Sequence, residues 1–138
     1  MSAFRILGID HVVLRCDNVD EMLDFYCGVL GCTVAKRNER LGLIHLSAGT
    51  AMIDLVSANG ELGRASGSAA EPPVRNMDHF CLRIEPFDAD RLTEHLKAHN
   101  LMPGELRARF GAEGDGISFY ISDPAGNRVE LKGPALSA

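Results

Sequence analysis

Two short stretches of the chain, residues 10–15 and 78–83, read DHVVLR and DHFCLR, with three apolar residues between a histidine and an arginine. A short apolar run of this kind predicts a strand, in which every second side chain points to the same face. The histidine and the arginine of each stretch therefore share one face, and apolar residues occupy the other. The two stretches match at four of six positions and lie half a chain apart, so the sequence predicts an internal repeat.

A helical pattern follows each repeated strand. In residues 18–31 the apolar side chains recur at helical spacing, with Asp17 or Asn18 as a candidate N-cap and Gly31 as the end. Residues 87–100 carry a second amphipathic pattern. Each helix is therefore expected to cover the apolar face of the strand before it.

Three further strand-like runs follow each predicted helix, so each half reads as a βαβββ module. We expect an α+β fold in which modules 8–58 and 77–134 form one curved, cup-like mixed sheet within a single domain, 1–138. Residues 60–76 are rich in Gly, Ser, Ala and Pro and read as a linker. The predicted runs are 33–37, 41–47 and 51–57 in the first half, and 105–109, 117–122 and 128–133 in the second.

One module is too small to cover its own apolar face, so the two modules are expected to cover each other or to pair across a homodimer. The dimer is the expected state, and the sequence leaves open whether the modules are swapped between chains. The glycine-rich stretch 111–116 follows no strand-to-helix step, which argues against a phosphate loop. It is expected to form a mobile loop over the mouth of the cavity.

Composition narrows the classes of partner. The 138 residues carry a formal charge of −5, which disfavours a nucleic-acid partner. No apolar run is long enough to span a membrane, and the N-terminus lacks the long apolar core of a signal peptide. The four cysteines form no CxxC pair and are expected to be reduced, buried thiols, which indicates a cytoplasmic protein.

Polar side chains with metal-binding or acid–base chemistry collect on one face of the predicted strands. Parity places them opposite the apolar set, and a carboxylate within an apolar strand needs a cationic partner, either an arginine or a metal. Imidazoles and carboxylates that converge on a concave face can hold a divalent metal with open positions. The residues on this face are His11, His45 and Asp54 in the first half, and His79, Tyr120 and Glu130 in the second.

The stretches GIDHVVLRCDNVDEMLDFYCGVLG and ISFYISDPAGNRVELKG resemble the vicinal oxygen chelate superfamily, which includes glyoxalase I, fosfomycin-resistance proteins, methylmalonyl-CoA epimerase and extradiol dioxygenases. The resemblance covers nearly the whole chain and is closest to small glyoxalase-domain proteins. It implies a divalent metal (zinc, nickel, manganese or iron) held by His11, His79 and Glu130. The fourth family position is Glu or Gln in glyoxalase I and the epimerase, and here it is Asp54, one methylene shorter, which argues against a glyoxalase I activity.

The remaining polar residues have functional and structural interpretations. Asp54 is interpreted as a substrate contact, a water-bridged group or the partner of an arginine rather than a direct ligand. Tyr120 is a candidate for hydrogen bonding to substrate, or a buried tyrosine with an ordinary partner. His45 is a candidate general base, or a satisfied interior histidine. Arg15, with Arg83, is a candidate for binding an anionic substrate, although capping of the sheet edge is favoured.

The resemblance implies an enzyme that binds a small substrate, including a thiol adduct, through two neighbouring oxygens. The expected chemistry is that of a lyase or isomerase with a metal-stabilised enediolate, and Glu130, Tyr120 and His45 are the candidate catalytic residues. A ring-cleaving dioxygenase is the runner-up, and a fosfomycin-type thiol transferase is a variant. A non-catalytic protein that sequesters an antibiotic or another small molecule is the third class.

Overall fold

The computed structural model describes residue 3, residues 5–65 and residues 77–136. The chain divides into two compact units, Met1–Glu71 and Pro72–Ala138. Each unit contains its own four-stranded sheet, and the two sheets have the same strand topology. The predicted α+β class and the βαβββ order in each half are therefore confirmed.

The first unit forms a sheet of order β1-β4-β3-β2, in which β1 pairs parallel to β4 and the other pairs are antiparallel. A tight turn at Gly49, whose φ is +64°, joins β3 to β4. The elements in chain order are β1 (His11–Cys16), α1 (Val19–Leu23), a π-helical segment (Asp24–Val29), β2 (Thr33–Asn38), β3 (Leu43–Ala48), β4 (Ala51–Ser57) and α2 (Glu61–Ala65).

The second unit repeats this arrangement with the order β5-β8-β7-β6, and β5 pairs parallel to β8. Asp123 shapes the turn before the last strand, because Oδ1 of Asp123 accepts hydrogen bonds from the backbone N–H groups of Ala125 and Asn127. The elements are β5 (His79–Arg83), α3 (Ala89–Ala98), β6 (Arg107–Gly111), β7 (Gly114–Ser122) and β8 (Arg128–Ala135).

The first helical region begins and ends at the capping residues that the sequence predicted. Asn18 is the N-cap, since its side chain accepts a hydrogen bond from the N–H of Glu21. Gly31, with φ of +82°, follows the helical region. The sequence did not predict the change to π-helical bonding over Asp24–Val29, because the apolar spacing alone does not distinguish the two kinds of turn.

Each unit buries its own apolar core between helix and sheet. Alternation in β1 leaves His11, Val13 and Arg15 exposed and buries Leu14 and Cys16, as the parity of the sequence predicts. The buried apolar residues include Leu14, Met22, Phe25, Tyr26, Leu46, Ile53 and Leu55 in the first unit, and Leu96, Phe119, Ile121, Val129 and Leu131 in the second.

Three expectations need correction. The predicted linker 60–76 begins with helix α2, and its residues 66–76 lie outside the described part of the chain. The glycine-rich stretch 111–116, expected as a loop, forms the tip of the β6–β7 hairpin, because β6 ends at Gly111 and β7 begins at Gly114. The four thiols are free, but only Cys16 and Cys32 are buried: Cys27 is partly exposed, and Cys81 is exposed because it lies on the polar face of β5.

No helix within the described residues has the length and apolar character needed to cross a membrane.

Candidate functional site

The first unit brings two histidines to one buried carboxylate. Strand register pairs His45 on β3 with Asp54 on β4, and it pairs Val13, two residues after His11, with the same aspartate. Nδ1 of His45 lies 3.0 Å from Oδ1 of Asp54, and Nε2 of His11 lies 3.9 Å from Oδ2. The structure therefore brings these three predicted site residues together within one unit.

Asp54 is only 5% exposed, and within the described residues its Oδ1 has no hydrogen-bond partner. The nearby His45 ring is at ion-pair distance but lacks the alignment of a hydrogen bond. A buried carboxylate oxygen without a donor is unfavourable by roughly 1–3 kcal/mol or more. Asp54 is therefore available to accept a proton or to face a cation.

His11 is oriented by the residue that precedes it. Nδ1 of His11 lies 2.7 Å from Oδ1 of Asp10, so the other ring nitrogen, Nε2, is the one that faces Asp54. The hydrogen bond to Asp10 is the largest cause and raises the pKa of His11; desolvation opposes it, and the charges of Asp54 and Asp10 add smaller upward contributions.

The second unit contains the equivalent histidine–carboxylate pair in closer contact. Nε2 of His79 lies 3.1 Å from Oε1 of Glu130, which is 5% exposed. Nδ1 of His79 lies 2.7 Å from Oδ2 of Asp78, and this hydrogen bond is the largest cause that lowers the pKa of Asp78. The arrangement of Asp78 and His79 thus repeats that of Asp10 and His11.

The hydrogen bond to Asp78 determines what Nε2 of His79 can do. A carboxylate only accepts, so the proton of a neutral His79 ring lies on Nδ1 and Nε2 presents its lone pair. That lone pair would face the negative oxygen of Glu130 at 3.1 Å. A proton or a metal ion between the two atoms removes this repulsion. With a metal ion there, Asp78, His79 and the metal would form the carboxylate–histidine–metal arrangement that is common in metal sites.

Tyr120 lies on the same face as this pair, opposite Glu130 in the β7–β8 register. Its ring lies edge-on to the His79 ring, with 5.0 Å between centroids. The guanidinium groups of Arg109 and Arg128 lie 4.6 Å and 4.1 Å from the Tyr120 centroid. These cation–π contacts fix the ring beside the histidine.

The two arginines on the histidine face make structural contacts. Nη2 of Arg15 donates a hydrogen bond of 3.0 Å to the carbonyl of Gly63 in helix α2. Nε of Arg83 donates to Glu113 at the tip of the β6–β7 hairpin. Sheet-edge capping and the substrate-binding role of Arg15 both stay predictions.

Within the described part of either unit, no three histidine, cysteine or acidic side chains converge closely enough to form a metal site. The ligand set His11, His79 and Glu130 therefore stays a prediction. The roles of Asp10 and Asp78, which orient the two histidines, were not predicted from the sequence. The available signal was the DH pair itself, which occurs at the start of both repeated strands.

A cavity of about 280 Å³ opens on the polar face of the second sheet. Desolvation by its surroundings raises the pKa of Cys81 in its wall to about 11, and the neighbouring Glu130 charge adds to this shift while Lys132 opposes it. Such a thiol is largely protonated near neutral pH. The cavity is lined by His79, Cys81, Arg83, Phe110, Gly111, Ala112, Glu113, Glu130 and Lys132.

Comparison with known proteins identifies similar chains. The chain is 30% identical over 128 residues to the glyoxalase domain-containing protein RDO1 of Mycosarcoma maydis, across 91% of this chain and 68% of that protein. It is 31% identical over 125 residues to the virulence protein STM3117 of Salmonella typhimurium, across 89% of this chain and 81% of that protein.

Solved structures share the fold. The crystal structure of STM3117 matches with a TM-score of 0.74 and 25% identity, covering 96% of this chain and all of that one (100%). Lactoylglutathione lyase from Agrobacterium tumefaciens matches with a TM-score of 0.67 and 23% identity, covering 93% and 94% of the two chains. At this identity the second likeness establishes the fold alone.

The sequence profile of the glyoxalase/bleomycin resistance protein/dioxygenase superfamily matches residues 8–131, which include both repeated strands and both carboxylate-bearing strands. The same residues form the two βαβββ halves, each with a histidine beside a buried carboxylate. The chain therefore belongs to the glyoxalase/bleomycin resistance protein/dioxygenase superfamily.

Proposed function

We propose that the protein is a divalent-metal-dependent enzyme of the glyoxalase type, which binds a small substrate through two neighbouring oxygens and catalyses a lyase or isomerase reaction. The observation that carries the proposal is the 3.1 Å contact between Nε2 of His79 and Oε1 of Glu130, with Nδ1 of His79 occupied by Asp78. This contact supports a bound metal, because the lone pair of Nε2 and a carboxylate oxygen repel unless a metal ion or a proton lies between them.

The distance also fits a metal. Two ligands that lie about 2.1 Å from one ion at right angles are about 3.0 Å apart. His79 and Glu130 are proposed to supply two ligands and His11, on the strength of the family resemblance, the third. Zinc, nickel, manganese and iron all suit imidazole and carboxylate ligands.

The bound metal would act as a Lewis acid that polarises the two oxygens of the substrate. Around it, His45 is proposed to move the proton. Asp54 lies 3.0 Å from Nδ1 of His45, which leaves Nε2 of His45 to accept a proton from substrate carbon. Asp54 stabilises the imidazolium that results, because its Oδ1 has no other partner among the described residues.

Tyr120 and Glu130 complete the proposed machinery. The phenol of Tyr120 is proposed to donate a hydrogen bond to a substrate oxygen, since its ring is fixed beside His79 by two guanidinium groups. Glu130 is buried and is the alternative carrier of the proton. Both residues lie on the polar face of the second sheet, where substrate would bind.

Metal content measured by mass spectrometry on untagged protein tests the proposal. We expect about one transition metal per chain in the wild type, with loss in His79→Ala and Glu130→Gln. His95→Ala is the matched control, because His95 is an exposed histidine on helix α3. His11→Ala tests the third ligand. Full metal retention in both His79→Ala and Glu130→Gln would contradict the assignment.

Activity is tested on α-hydroxy-carbonyl adducts of thiols, with each metal reconstituted in turn. We expect His45→Ala to lose turnover while it retains metal, because the proposed role of His45 is proton transfer. Absence of turnover with every metal would exclude lyase chemistry on thiol adducts.

A ring-cleaving dioxygenase is the second candidate. The exposed ring of Phe110, 84% accessible, forms part of the cavity wall and would suit an aromatic substrate. Two histidines and a glutamate are also the ligand set of iron-dependent oxygenases. Oxygen uptake with a panel of catechols on the iron-loaded protein discriminates this candidate from the lyase.

A further inference from the structure

Lys132 is a buried lysine whose ammonium group is only partly satisfied. Its residue is 5% exposed, and Nζ donates one hydrogen bond of 3.0 Å, to the carbonyl of Gly114. An ammonium group has three N–H donors. Among the described residues, the buried ammonium group of Lys132 therefore has N–H donors without an acceptor, which is unfavourable unless a further partner binds them.

The two carboxylates that line the same cavity are already engaged. Glu130 contacts Nε2 of His79, and Glu113 accepts from Nε of Arg83. No carboxylate in the described part of the chain forms an ion pair with Lys132, so its charge is not neutralised by the protein residues that the structure describes. A buried cation in this condition is a binding group for an anion.

Two strand residues make room for this lysine by lacking side chains. A Cβ atom at Gly111 would lie 2.9 Å from Cε of Lys132, and one at Gly116 would lie 2.7 Å from Nζ. Glycine in a strand weakens the strand and marks a close approach. The β6–β7 hairpin thus forms a passage for Lys132 into the cavity.

The position of Lys132 relative to the candidate metal site sets the shape of the ligand. Lys132 and Glu130 are two residues apart on β8 and face the same way, so their positions differ by about 7 Å along the strand. Register pairs Lys132 with Arg83 at one end of the cavity face and Glu130 with Cys81 nearer to His79. A ligand that reaches both groups therefore carries an anion several bonds from its reacting oxygens.

We propose that Lys132 binds a carboxylate of the substrate, so that the enzyme acts on small organic acids whose apolar body lies against Phe110. This inference rests on the proposed function for the identity of the reacting end, but the carboxylate site itself does not need the metal. A carboxylate matches an ammonium group with two free donors through charge-assisted hydrogen bonds.

Isothermal titration calorimetry with benzoate on the metal-stripped full chain tests the inference. Benzyl alcohol serves as the uncharged control ligand and inorganic phosphate as a second oxyanion. We expect wild type to bind benzoate and Lys132→Met to bind it at least tenfold more weakly. Gly111→Ala, which displaces the lysine side chain and leaves its charge, should weaken binding to a smaller extent.

The variant His79→Ala separates this inference from the proposed function. Retained benzoate binding in His79→Ala, with loss in Lys132→Met, supports the carboxylate site whether or not the protein proves to be a metalloenzyme. Equal benzoate affinity in wild type and Lys132→Met would overturn it, as would binding of phosphate or benzyl alcohol in preference to benzoate.

A labelling experiment on wild type covers the case in which Lys132→Met fails to fold. Acetylation of Lys132, followed by peptide mass spectrometry, should slow at least fivefold when benzoate is present, whereas Lys97 on helix α3 should be unaffected. Equal rates at Lys132 with and without benzoate would contradict the inference.

Discussion

Asp78 accepts a hydrogen bond of 2.7 Å from Nδ1 of His79, and Asp10 makes the same contact with His11. Each aspartate fixes the tautomer and the ring orientation of the histidine that follows it in the chain. The repeated unit of the sequence is therefore the pair of an aspartate and the histidine that it positions, rather than the histidine alone.

Loss of the positioning aspartate should weaken metal binding. We expect Asp78→Ala to lower metal affinity about 10- to 100-fold, because the ring of His79 loses the partner of Nδ1. Competition titration with a chromogenic chelator measures the affinity. Asp115→Ala, an exposed aspartate on β7, is the control. An unchanged affinity in Asp78→Ala would show that the contact does not orient a ligand.

The pKa of His11 offers a direct test of the contact with Asp10. The hydrogen bond raises this pKa in the metal-free protein, so Asp10→Asn should lower it, as measured by NMR titration of the ring protons. Because the pKa of His11 is higher in the folded than in the unfolded protein, proton binding by His11 stabilises the fold. This contribution is complete at pH below the pKa of the unfolded state, about 6.5, and disappears as pH rises through the pKa of the folded state. A pKa of His11 that is unaffected by Asp10→Asn would contradict the hydrogen bond.

Cys81 should react slowly despite its exposure. Its pKa is raised to about 11, so the reactive thiolate is scarce at neutral pH and alkylation by iodoacetamide should keep accelerating up to about pH 11. Glu130→Gln removes one cause of the raised pKa and should speed alkylation of Cys81 at pH 8, whereas Lys132→Met should slow it. Peptide mass spectrometry reports the rate at this residue. Alkylation that levels off near pH 8.5, the value for a free thiol, would contradict the prediction.

The turn before β8 should be sensitive to its aspartate. Asp123 is buried and accepts three hydrogen bonds, from the backbone of Ala125 and from the backbone and side chain of Asn127. We expect Asp123→Ala to lower the free energy of unfolding by about 1–3 kcal/mol. Asp123→Asn, which keeps one carbonyl oxygen, should cost less. Urea denaturation monitored by circular dichroism measures both, and a neutral Asp123→Ala would show that the turn is held by other contacts.

The sequence predicted strands and their facing side chains well, because period-two alternation is a local property. Parity predicted that His45 and Asp54, like Tyr120 and Glu130, face the same side of their strands, and the structure adds that each pair is directly opposite across neighbouring strands. The N-cap at Asn18 was one of two candidates, since both side chains can accept the same hydrogen bond and only the backbone distinguishes them.

Features that depend on the position of the end of a side chain in three dimensions were not predictable from the sequence. The burial of Lys132 depends on the β6–β7 hairpin, whose glycines suggested a loop in the sequence. The positioning roles of Asp10 and Asp78 also depend on how the histidine rings are oriented, and the sequence does not specify that orientation. Helix α2 lies in a stretch whose composition indicated a linker. Its five residues are too few to show the helical spacing of apolar positions, so the sequence did not predict it.

The passage that Lys132 takes through the β6–β7 hairpin has a consequence for how the family can vary. All three close contacts of a Cβ at Gly111 would be with the Lys132 side chain, whereas a Cβ at Gly116 would also lie 2.6 Å from the backbone oxygen of Pro134. Homologues with a short side chain at position 132 are therefore free to replace the first glycine but not the second. Positions 111 and 132 should covary across an alignment, and position 116 should stay glycine regardless of what occupies position 132.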